Sequence, residues 1–106
     1  MTQVFYFQYE VQPLPNNEYF ATAGGAYVNC YVVAASAENA AKLAQENFIG
    51  NSWEVVAVQD EPVITAREDF LDDPETLKCF DEAVSNGECY VFHLWPLDPQ
   101  EDDAIH

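Results

Sequence analysis

AYVNCYVVAASAENAAKLAQENFIGNSWEVVAV, residues 26–58, reads as a strand, a capped helix and a second strand. From Tyr27 to Ala35 the chain is rich in β-branched and aromatic residues, which suit a pleated, half-buried surface. Alternation puts Val28, Cys30, Val32 and Ala34 on one face, and Tyr27, Asn29, Tyr31 and Val33 on the other. Ser36 offers a hydroxyl to the free N–H groups of a helix start, and Glu38 sets a negative charge in the first turn, where the helix dipole favours it. Ala37, Ala40, Ala41, Ala44 and Phe48 recur at helical spacing, and the small alanines let this helix sit close to a sheet. Gly50 is the expected left-handed residue past the helix end, with Asn51 behind it. Trp53 to Val58 resumes a strand pattern.

Upstream, VFYFQYEV (residues 4–11) alternates cleanly as a first strand, with Phe5, Phe7, Tyr9 and Val11 facing one way and Val4, Tyr6, Gln8 and Glu10 the other. Pro13 and Pro15 end it, since proline cannot donate to a ladder. Residues 12–25 then make a long connection, with Asn16, Asn17, Gly24 and Gly25 as turn residues and Tyr19 and Phe20 able to pin it down. Downstream, QDEPVI (59–64) continues the third strand past a bend at Pro62, and the Thr65/Glu68 spacing suggests a short helical turn over 66–71. Asp73 followed by Pro74 signals a second helix, with Leu77, Phe80, Ala83 and Val84 inward and Gly87 as its stop. ECYVFHLW (88–95) is the last strand, halted by Pro96. The order is β-β-α-β-α-β. The expected class is α+β: a two-layer sandwich of about four mostly antiparallel strands, with both helices on one face. Residues 1–97 form one domain, and 98–106 are an acidic, frayed tail.

Charge sets the functional frame. Nineteen acidic residues oppose three basic ones, Lys42, Arg67 and Lys78, for a net charge of −16. Binding nucleic acid requires cations to neutralise phosphates, so direct contact with DNA, RNA or an anionic membrane is not expected. A basic protein surface is the expected partner, although the same charge also serves solubility. The densest acidic stretch supplies Glu68, Asp69, Asp72, Asp73 and Glu75, with Asp81 and Glu82 on the next helix and Asp98, Glu101, Asp102 and Asp103 in the tail. A calcium loop counted from Asp69 puts Glu75 where glycine is needed and Phe80 where glutamate is needed, so that motif fails.

A second expectation concerns the sheet face left open if both helices share the other. Tyr6, Tyr27, Tyr31, His93 and Trp95 would give it the aromatic, weakly polar composition enriched at interfaces. It would pack on a second copy as a homodimer or on a partner, or be covered by the 12–25 loop. Cys89 and His93 lie four apart on a strand, about 13 Å, too far to share a zinc ion or to act as a nucleophile pair. Three cysteines, Cys30, Cys79 and Cys89, form no framework, and the N-terminus lacks a signal-peptide pattern. Both features point to free thiols in the cytoplasm.

The sequence therefore leads to a small, acidic, cytoplasmic, non-enzymatic domain of bacterial type without metal or cofactor, working by protein contact. Inhibitor, immunity and nucleic-acid-mimic proteins work in that way. The rival is a small-molecule binder or enzyme with a pocket beside the 12–25 loop, near Tyr19, Tyr31, His93 and Trp95.

Overall fold

The computed structural model describes residues 2–97. Four strands, β1 (Gln3–Pro13), β2 (Ala23–Ala34), β3 (Trp53–Thr65) and β4 (Glu88–Pro96), form one antiparallel sheet in the order β3-β1-β2-β4. Helix α1 (Ala37–Gly50) joins β2 to β3, and a 3₁₀ turn (Arg67–Phe70) and helix α2 (Pro74–Asn86) join β3 to β4. The α+β class, the element order and the antiparallel pairing are those expected from the sequence. The caps explain where the helices begin: the Ser36 hydroxyl accepts from the Asn39 N–H at 3.1 Å, and Asp73 accepts from the Thr76 N–H and hydroxyl. Gly87 ends α2 at φ 94°, a left-handed conformation that carries no penalty without a Cβ.

The helices, expected together on one face, divide between the two. Ala40, Ala44 and Phe48 of α1 pack on Phe5, Phe7, Tyr9 and Val11 of β1 and on Val28, Cys30 and Val32 of β2. Cys79, Phe80 and Ala83 of α2 pack with Val4 and Tyr31, joined by Tyr6, Val33, Cys89 and Val91. These are the alternate side chains of the same strands, hence the opposite face. The physical reason lies in β1 and β2: both their faces are apolar at the Val4–Val33 end, so each needs a helix to cover it. The two layers become three, the second incomplete.

Several local expectations change for tertiary reasons. Gly24 and Gly25 are not in a turn but inside β2. The Trp95 ring lies on them: a Cβ on Gly25 would come within 2.5 Å of Trp95 Cζ2 and 2.9 Å of the Val11 carbonyl oxygen. Two others hold: β1 ends at Pro13, and β3 continues past Pro62, which an edge strand tolerates. Ser52, not Gly50, takes the left-handed conformation after α1, at φ 64°. The short turn after β3 is capped by Asp69, which accepts from the Ala66 N–H at 2.9 Å, while the Thr65 hydroxyl donates to the Val4 carbonyl at 2.8 Å. On α2, Cys79 is inward and Val84 is 58% exposed, which turns the stripe away from the one expected.

Candidate functional site

The acidic stretch is built on the 3₁₀ turn and the first three turns of α2. Glu68, Asp69, Asp72, Asp73, Glu75, Asp81 and Glu82 are all exposed. Four of them have local work, Glu82 by accepting the Cys89 thiol at 3.6 Å. Asp69 and Asp73 cap their helical segments, and Asp81 accepts from the Arg67 guanidinium at 3.0 and 3.2 Å. The hydrogen bonds from Thr76 hold the Asp73 carboxyl below its ordinary range. The Arg67–Asp81 pair is about half exposed on both sides, so it contributes little to stability, but it does occupy one of the chain's three cations. Lys78 is exposed on the same helix. The surface is thus strongly anionic around Arg67 and Lys78, and Glu68, Asp72, Glu75 and Glu82 stand as exposed carboxylates along it. The tail acids named above lie outside the described residues.

The aromatic residues of the second face are not brought together as one patch. Tyr31 is 4% exposed, wedged edge-on against Phe70 and tilted against Tyr6, and burial pushes its hydroxyl up to about 12. Tyr6 and Tyr31 therefore belong to the core beneath α2 and its preceding turn. Tyr27, His93 and Trp95 lie beyond the cover of that helix. Tyr27 and His93 are cross-strand partners, and both are exposed. The Tyr27 and Trp95 rings meet at 5.0 Å. Beside them Gln8 donates to Asn29 at 2.7 Å, an amide pair in register on the same open face. His93 is thus exposed on that face.

The 12–25 loop does not cover this face. Tyr19 stacks instead on Trp53, at 6.1 Å, on the α1 side of the sheet. Asn17 ties the loop down: its amide donates to the Ser52 carbonyl at 3.0 Å, and its carbonyl oxygen accepts from the Tyr19 N–H at 2.8 Å. Asn16, Glu18, Tyr19, Asn51 and Phe92 border an open groove of about 480 Å³ there. Tyr31, His93 and Trp95 are not part of it, so the pocket pictured from the sequence does not assemble as drawn.

The thiols are packing groups in this geometry. Cys30 is fully buried, and burial pushes its thiol well up. Cys79 and Cys89 are neighbours between α2 and β4, both raised chiefly by burial, and the Cys89 thiol donates to Glu82 at 3.6 Å. Thiols kept protonated in this way are poor nucleophiles. Among the described residues, no group of three or more His, Cys, Asp or Glu side chains is placed to hold a metal ion, and no helix is long and apolar enough to cross a membrane.

One feature of the site was not read from the sequence: the two sheet edges differ. β3 is interrupted by register shifts and carries Asp60, Glu61 and Pro62, whereas β4 runs unshifted from Glu88 to Trp95. The Asp60-Glu61-Pro62 run against the uncharged CYVFHLW was the available signal. No protein-family model, curated protein or solved structure matches this chain.

Proposed function

We propose that this chain is a small acidic, cytoplasmic domain that works by protein contact rather than catalysis, docking a basic protein surface through residues 68–82. An inhibitor, an immunity protein or a mimic of nucleic-acid charge would act in this way. The observation that carries the reading is the exposure of Glu68, Asp72, Glu75 and Glu82 in a chain of net charge −16. Charges arranged like this speed encounter with a cationic partner and repel phosphate polymers. The test is capture from native extract at low and high salt, with the Glu68→Gln/Asp72→Asn/Glu75→Gln variant alongside. A basic protein held by the parent at low salt, and lost with either salt or the variant, supports the reading. Equal retention by parent and variant contradicts it.

Self-association is a second part of the proposal, now confined to the Tyr27–Trp95 end of the sheet. It is supported by exposed aromatic surface beside the Gln8–Asn29 amide pair. A single monomer mass in light scattering at high concentration removes it. A small-molecule site is the rival, favoured by the amide and aromatic lining of the groove at Tyr19. Specific retention of a metabolite, abolished by Tyr19→Ala, would replace the contact reading.

A further inference from the structure

We propose that β4 is a docking edge, to which an extended, Lys- or Arg-bearing segment of a partner protein adds as a fifth strand. This rests on the contact reading above and specifies the partner's form. Unpaired backbone groups at a sheet edge are a template for another strand.

The ladder fixes which groups are on offer. The Val33 N–H donates to the Gly87 carbonyl at 2.9 Å, and the register then runs without a shift from Val32↔Glu88 to Gly25↔Trp95. Bonded and non-bonded pairs alternate in an antiparallel ladder, so Cys89, Val91, His93 and Trp95 bond β2. The main chain of Glu88, Tyr90, Phe92 and Leu94 turns outward, over about 20 Å of strand. Among the described residues, no strand lies beyond β4.

The opposite edge is protected in ways that β4 is not. β3 breaks register opposite Tyr6–Tyr9 and again near Val11, and it places two acids and a proline in mid-strand. Bulges, charges and proline are the usual means of blocking edge pairing. From Cys89 to Trp95, β4 has none of them.

Charge selects the occupant. Glu88 accepts the Tyr90 hydroxyl at 2.5 Å on the α1 face, and Glu82 accepts the Cys89 thiol at 3.6 Å on the α2 face. A carboxylate therefore flanks each side of the edge, and a strand projects alternate side chains to both sides. Cationic residues at neighbouring positions would meet both carboxylates. A second copy of this chain would instead bring two further carboxylates to the same edge.

The test uses the full chain, ¹⁵N-labelled, and a blocked nine-residue peptide of Val and Lys with its lysines in adjacent pairs, so that cations project to both faces. N-methylation on one edge of the peptide confines it to a single strand. Saturating peptide should slow amide exchange at Tyr90, Phe92 and Leu94 by about tenfold or more, with little change at Val91 and His93. The Glu–Val peptide should do nothing. Glu82→Gln/Glu88→Gln should weaken the Lys peptide several-fold without moving Tm. Binding that shifts signals only along 68–82 would overturn the edge and leave the contact reading intact. Failure to bind this peptide, together with failure to bind any basic protein, would remove both. Self-pairing through β4 without peptide would also overturn the choice of occupant.

Discussion

The sheet's two faces are covered by helices of similar length with unequal success. On the α1 face, Phe48 is fully buried and touches Tyr9, Tyr90 and Phe92 ring to ring. On the α2 face the dry region is smaller, and the Tyr27–Trp95 end stays open. The difference teaches how one sheet can divide its labour. A face filled by alanines and one large aromatic holds the fold. A face covered only at one end leaves polar and aromatic side chains free for contact. The acids cluster on the helix of the second face, beside the edge that lacks guards.

The contrast can be broken most directly from the well-packed side. Phe48→Ala should cost about 3–5 kcal/mol, seen as a large drop in urea midpoint, because the ring is enclosed and a cavity remains. Phe80→Ala removes a comparable ring from the thinner layer, where neighbours are half open and relaxation is easier. It should fall near about 3 kcal/mol by the same measurement. Equal or reversed costs would mean that the two faces are equally consolidated.

Gly25→Ala probes the open end. The added methyl meets both an indole and a backbone oxygen, so about 1–3 kcal/mol should be lost and the Trp95 fluorescence should shift. Ser36→Ala removes the cap of α1 alone and should cost about 1 kcal/mol. The smallest effect is one of pH. The proton affinity of the folded Asp73 is lowered by its bonds from Thr76, so its stabilisation is complete above the ordinary carboxylate range and is lost as pH falls through the lowered value. NMR shifts of the first turn of α2 should follow that acid-side change. Asp73→Asn, which keeps a capping oxygen, should flatten it.

The parts of the fold governed by local chemistry were legible in the sequence. The alternation of residues 4–11, the Ser36 cap, the Asp73-Pro74 start and the Gly87 stop all lie where their side chains require them. What could not be read was set by distant neighbours. Gly24 and Gly25 look like turn residues until Trp95 is laid over them. The inward stripe of α2 includes Cys79 rather than Val84, and both are apolar. For the same reason the candidate aromatic face was half right: Tyr27, His93 and Trp95 are on open surface, while Tyr6 and Tyr31 sit beneath a helix. The acidic stretch was legible as charge and as the Asp73 cap, but the capping duty of Asp69 within it became visible only with the backbone in place.

The claim that the domain meets its partner through its charge is tested most directly by the salt dependence of that association. Capture from native extract should hold a basic protein at low ionic strength and release it near about 1 M salt, where the screening length falls to about 3 Å. Neutralising Glu68, Asp72 and Glu75 should release it at low salt as well. Retention of the same partner in high salt by parent and neutralised variant alike, or tight binding to a bare oligonucleotide, would contradict the account.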